Sequence, residues 1–160
     1  MRTTSKNWIC DVARRWIVAS AVVFAIAFAS AVTSSAQAPA AGTSVWSGVY
    51  TEDQAKRGEA AAAKLCTSCH GPDLSGGEAG PALVGLEFLG NWNNLTLADF
   101  YDRVHSTMPA DAPGTLTPQR VSDISAYVLK LNKFPAGQTE LSTDQAALKG
   151  IKIEGQPAAK

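Results

Sequence analysis

From residue 51 onward, apolar positions recur at helical spacing in separate stretches, and a long interval without any period divides the first from the second. Thr51-Glu52-Asp53-Gln54 has the form of a capping box, with a Thr cap, a Gln three positions on and acids over the helix start. The Ala-rich run behind it predicts a helix to about Leu65. Thr96 opens a second helix, whose Leu97, Phe100, Tyr101 and Val104 fall on one face at i, i+3, i+4 and i+7. Thr117-Pro118, a cap followed by proline at the first helical position, opens a third. Val121, Ile124, Val128 and Leu131 form its apolar stripe, and Pro135 lies past its end. Ser142-Thr143-Asp144-Gln145 predicts a last short helix near 143–150, ahead of Ile151-Lys152-Ile153.

The interval from Gly71 to Leu95 holds 25 residues, six of them glycine. A loop of that length inside a compact domain counts against the assignment unless a ligand or a function organises it. Three or four modest helices also make a thin core for the chain. Both difficulties disappear if a large apolar group sits between the helices, so the pattern predicts an all-α domain with something missing from its centre.

Before residue 51 the pattern changes. Met1 to Trp16 carries Arg2, Lys6, Arg14 and Arg15 against Asp11, and the uncharged run Ile17 to Val32 leads to Ala36-Gln37-Ala38. Positive start, apolar middle and small-x-small exit describe a secretory signal peptide, residues 1–38, cleaved after Ala38. A helix of that apolar run reaches only about 24 Å, short of the roughly 30 Å hydrocarbon core of a bilayer. An uncleaved anchor is the competing reading, and the single Arg14-Arg15 pair is a weak twin-arginine signal. Cys10 precedes the apolar run, which excludes a lipoprotein cysteine. Residues 39–50, small and polar, are expected to form a flexible lead-in.

The whole chain has 160 residues, with 14 basic and 14 acidic side chains, 46% hydrophobic and 18% charged. That composition excludes a disordered polyampholyte and a generally cationic nucleic-acid binder. Without the first 38 residues ten basic and thirteen acidic side chains remain, a net charge of −3. The result is a mildly acidic exported domain, with no nucleic-acid partner and with membrane contact only if the signal segment is retained.

The candidate chemistry lies at the start of the gap. Cys66-Thr67-Ser68-Cys69-His70 is C-x-x-C-H, the attachment signature of c-type haem. Two thiols three positions apart can each add to a haem vinyl group, and the adjacent histidine then reaches the iron. A thioredoxin-like pair would need a βαβ setting that is not visible here. A structural disulfide fits an oxidising compartment. Zinc could take Cys66, Cys69, His70 and His105, although no second closely spaced ligand pair exists. Chance is the remaining alternative.

After residue 38 the chain has one methionine, Met108, followed by Pro109 in the non-helical stretch MPADAPGTLTP. A thioether sulfur opposite a histidine nitrogen raises a haem's potential and favours reduced iron. A lone methionine is otherwise ordinary core filler, and His105, three residues earlier, is a rival ligand or a partly exposed helix histidine.

With CTSCH at 66–70, GPAL at 80–83 and MP at 108–109 in that order, residues 51–132 resemble the class I cytochromes c. Small bacterial periplasmic members and the cytochrome c domains of quinoprotein dehydrogenases are the nearest in kind. The resemblance implies three to four helices wrapped around one covalently bound haem c, with Cys66 and Cys69 as attachment points and His70 and Met108 as iron ligands. It implies that the Pro81 carbonyl receives the His70 imidazole N–H, and that Trp92 can hydrogen-bond a haem propionate as an indole does in some members, the alternative for Trp92 being ordinary partial burial. Gly58 and Tyr127 match the family's crossing of first and last helices, while Ala62 stands where members add an aromatic. Residues 133–160 have no counterpart and read as a C-terminal strap packed by Phe134, Leu141, Leu148, Ile151 and Ile153, or as a docking segment.

The function expected from this resemblance is periplasmic one-electron carriage between a redox-protein donor and acceptor. Lys56, Arg57 and Lys64 are candidate steering charges, or simply a solvated helix face. The alternative is a cytochrome subunit of a quinoprotein dehydrogenase or sulfur-oxidising complex. A haem enzyme or gas sensor would require a vacant iron position.

Overall fold

The computed structural model describes residues 43–156. The signal-like segment 1–38 and Cys10 lie outside the described residues. Among the described residues six helices follow one another: α1 Glu52–Leu65, α2 Thr67–His70, α3 Gly85–Trp92, α4 Leu97–Thr107, α5 Pro118–Leu131 and α6 Gln145–Lys149. Two short strands flank them, β1 Thr43–Ser44 and β2 Ile151–Lys152, with a 3-10 turn at Val45–Ser47. No described helix is long and apolar enough to cross a membrane.

Helix α1 begins as its sequence predicts, because the Thr51 hydroxyl accepts from the Gln54 backbone N–H at 3.1 Å. The reciprocal half of the expected capping box does not form. Gln54 is fully buried, its Nε2 donating to Ser122 Oγ at 3.1 Å and to the Leu141 carbonyl at 3.0 Å. Its Oε1 accepts the Leu141 N–H at 2.7 Å, so the side chain joins α1 and α5 to the strap. A complete box occurs at α4, where Thr96 N–H donates to Asp99 at 2.8 Å and Asp99 N–H to the Thr96 hydroxyl at 3.3 Å. The Thr96 hydroxyl, which donates to the Asp99 carboxylate at 2.7 Å, and secondarily the Thr96 N–H hold the Asp99 carboxyl below its ordinary pKa.

Helices α1 and α5 cross at Gly58. A Cβ there would lie 1.9 Å from the Asp123 carbonyl oxygen and 2.9 Å from Tyr127 Cβ, so only glycine admits this approach. Ala62, where an aromatic is usual in the resembling family, is fully buried and leaves the contact close. Arg57 reinforces the crossing, its Nε and Nη2 donating to the two Asp123 carboxylate oxygens at 3.1 and 3.0 Å and Nη2 also to Glu140 at 2.9 Å. Leu97, Phe100, Tyr101 and Val104 on α4 and Val121, Ile124 and Val128 on α5 are buried, while Leu131 is half-buried.

Two regions differ from the sequence expectation. Helix α3 occupies part of the supposed gap, anchored by fully buried Phe88, whose ring meets Phe100 edge-on at 5.6 Å. The segment expected as a flexible lead-in is, from residue 43 to 50, a built element. Its β1 pairs in parallel with β2, with Thr43 opposite Ile151 and Ser44 opposite Lys152. Val45 and Tyr50 are buried, and Trp46 packs edge-on against Phe134 at 4.9 Å. Trp46 Nε1 donates to the Glu154 and Gly155 carbonyls, both at 3.0 Å, and the Tyr50 hydroxyl to the Phe134 carbonyl at 2.7 Å. These anchors are 84 to 109 residues apart in sequence, beyond the reach of any local pattern. The strap residues Phe134, Leu141, Leu148, Ile151 and Ile153 are all buried.

Candidate functional site

The CTSCH stretch follows α1 directly, Cys66 ending that helix and starting the next. Cys66 caps the helix, its N–H bonded to the Ala62 carbonyl at 2.8 Å, and the short helix α2 carries Cys69 and His70. Positions three apart on such a turn face the same way, which brings both sulfurs to one wall. The two sulfurs are not joined in a disulfide; Cys66 is half-buried and Cys69 exposed. Burial, and secondarily the neighbouring Cys69, pushes the Cys66 thiol above its ordinary pKa.

His70 is 6% exposed, and its Nδ1 lies 2.7 Å from the Pro81 carbonyl oxygen. A carbonyl can only accept, so Nδ1 carries the proton, and in the neutral ring Nε2 then keeps its lone pair. The chain comes this close because residue 80 is glycine. A Cβ at Gly80 would sit 2.9 Å from His70 Nδ1 and 3.0 Å from Cε1.

Met108 caps the C-terminus of α4, its N–H bonded to the Val104 carbonyl at 3.1 Å, which turns the chain out of the helix at the sulfur-bearing residue. Trp92 ends α3, half-buried, with its ring edge-on to Phe100 at 4.9 Å. Cys66, Cys69, His70, Pro81, Trp92 and Met108 all line one cleft of about 1160 Å³. Its remaining walls include Leu83, Phe100, Val104, Leu116, Ile124 and Val128. Clefts for drug-sized ligands run to roughly 1,000 Å³, so this one has room for a larger, mostly apolar group.

The donor set fits a haem: two thiols at one wall, an imidazole with a free Nε2 and a thioether on the same cleft. Among the described residues no group of three or more His, Cys, Asp or Glu side chains is placed to hold a metal ion, so the zinc reading gains no support. His105 does not line the cleft; its ring stacks on Tyr101 with centroids 6.0 Å apart. Of the three candidate steering charges, Lys56 pairs with Asp53 and Arg57 with Asp123 and Glu140, and Lys64 lies exposed at the cleft. Leu116, and Leu83 beyond its place in the GPAL motif, carry no sequence signal as walls of the cleft. Neither lies in a periodic segment, and only the approach of separate loops brings them to the cleft.

Residues 53–128 match the family model described as cytochrome C oxidase, cbb3-type, subunit III. Among solved structures, the chain is similar to the sulfane dehydrogenase SoxCD from Paracoccus pantotrophus, at 27% identity and a TM-score of 0.45. That match covers 56% of this chain and 53% of the other, so this chain spans about half the length of the relative. None of the curated proteins matches the chain.

Proposed function

We propose that this protein is an exported, periplasmic one-electron carrier, with residues 53–128 as a class I cytochrome c domain holding one covalently bound haem c. The observation that carries the reading is the convergence of Cys66, Cys69, His70 and Met108 on one cleft, from sequence positions up to 42 residues apart. When bound, haem c supplies a ferric/ferrous couple. Cys66 and Cys69 would each form one thioether, fixing the group at the end of α1. His70 would offer Nε2 to the iron, its orientation and basicity set by the bond from Nδ1–H to Pro81. Met108 would offer its thioether sulfur to the iron, raising the potential, and with His70 also bound the iron would have no place for oxygen or peroxide. Leu83, Val104, Leu116, Ile124 and Val128 would supply apolar walls, and with His70 and Met108 both held by the fold neither would have to leave or enter as the charge changes.

Under the alternative reading, a cytochrome subunit of a larger oxidoreductase complex, the strap would serve as a docking segment. Its apolar residues are already buried within this chain, which favours the carrier.

Ferric and ferrous visible spectra test the proposal, with the weak long-wavelength ferric band reporting methionine ligation. Met108→Ala should open the iron to CO and lower the potential by on the order of 0.1 V, within the roughly 0.8 V over which axial ligands set haem potentials. Rapid CO binding by the unaltered protein at neutral pH, or an unchanged potential in the variant, refutes six-coordinate carriage by His70 and Met108.

A further inference from the structure

We infer that Asn132 is a positioning residue for His70, acting through the loop that carries Pro81; this rests on the reading of His70 as the iron ligand. Asn132 follows α5 as its C-cap, far from the CTSCH stretch in sequence. Its Nδ2 donates to the Leu83 carbonyl at 2.9 Å and to the Val128 carbonyl at 2.8 Å. Its Oδ1 accepts the Gly85 N–H at 2.9 Å. The side chain thus holds the 83–85 stretch with a donor and an acceptor, a match that fixes which way the amide faces.

The Leu83 peptide is held on its other side as well, its N–H donating to the Leu74 carbonyl at 2.8 Å. Leu83 is therefore fixed by both its N–H and its carbonyl, two residues beyond Pro81. Little slack remains for the Pro81 carbonyl, whose 2.7 Å contact with Nδ1 depends on where the loop lies. A helix cap needs only the Val128 bond; the two bonds to the loop make Asn132 more than a cap. Loosening them lets the Pro81 carbonyl drift, weakens the bond from Nδ1–H and makes the imidazole a less basic ligand.

The experiment uses the haem-loaded protein with two substitutions, Asn132→Leu and Asn132→Asp. The aspartate is nearly isosteric and keeps an acceptor for Gly85 N–H, but turns an unprotonated oxygen toward the Leu83 and Val128 carbonyls. It keeps the test open if the leucine variant does not fold. Asn132→Leu should raise the reduction potential, and both substitutions should redistribute the hyperfine-shifted haem methyl resonances of the ferric protein, which report the histidine ring's orientation. The aspartate's added negative charge by itself lowers the potential, so that variant is read from the methyl resonances alone. In Asn132→Leu the Gly85 amide should also exchange about fivefold faster, the worth of one ordinary hydrogen bond. A lower melting temperature with potential and methyl shifts unchanged would make Asn132 a structural cap and overturn the proposal. Histidine ligation is read first, from the spectrum of the unaltered protein. Its absence there sinks the reading of His70 itself, independently of any Asn132 result.

Discussion

Replacing Gly58 with alanine puts one methyl group where the structure has no room. The added Cβ would stand 1.9 Å from the Asp123 carbonyl oxygen and 2.5 Å from its carbon, both backbone atoms that no rotamer change can remove. Restoring ordinary contact requires α1 and α5 to separate by roughly 1.5 Å. On its own, glycine to alanine inside a helix stabilises by about 1 kcal/mol. Overpacking costs typically 1–3 kcal/mol, and a backbone-to-backbone clash belongs at the top of that range. The net expectation is a loss of about 2 kcal/mol, seen as a fall of about 8 °C in melting temperature. Gly90, exposed in α3 with nothing within 4 Å of its Cβ position, is the matched control. Gly90→Ala should leave the melting temperature unchanged or raise it. Thermal unfolding of both holoproteins, followed by helix circular dichroism, makes the comparison. If Gly58→Ala melts no lower than Gly90→Ala, the close crossing does not govern how these helices meet.

Gln54→Met keeps the side chain's volume but leaves the buried Leu141 N–H without its acceptor, whereas the Leu141 carbonyl still receives the Ser122 hydroxyl at 2.6 Å. A buried unpaired donor costs about 1–3 kcal/mol, so the guanidinium midpoint should fall accordingly, and an unshifted midpoint would refute the clamp. Burial, and secondarily Glu52, pushes the Tyr50 phenol from 10.0 up to about 12. A group whose folded pKa lies above its unfolded value stabilises fully below the unfolded pKa and loses that contribution as pH rises through the folded one. Stability should therefore decline from about pH 10 to about pH 12, and Tyr50→Phe should remove part of that slope; identical slopes in urea titrations would contradict it.

Much of the site was legible because its chemistry is local. C-x-x-C-H is one helical turn, and Met108 is conspicuous as the lone methionine after the signal-like segment. Thr51, Thr96 and Thr117 each cap the helix their positions imply. The last helix also forms, with Asp144 rather than Ser142 as its cap. What escaped the sequence is what depends on distance along the chain. Helix α3 contains Gly90 and opens with Gly85, which blur its period, and it is held by Phe88 against Phe100. Gln54 fits a capping box by spacing, yet Ser122 and Leu141 offer it buried partners that the cap cannot match. Trp46 and Tyr50 sit in a stretch too short and polar to predict, and their partners lie near the other end of the chain. The same holds for Asn132, an ordinary polar residue until the 83–85 loop folds beside it.

The pairing of β1 with β2 also settles where attachments leave the domain. Thr43 lies beside Ile151, and the Trp46 indole holds the backbone at Glu154 and Gly155. None of residues 43–50 or 133–156 lines the cleft. A leash to a lipid surface, a purification handle or a neighbouring module could therefore be spliced on at either end, or the two ends joined and the chain reopened elsewhere, without replacing one wall of the chamber.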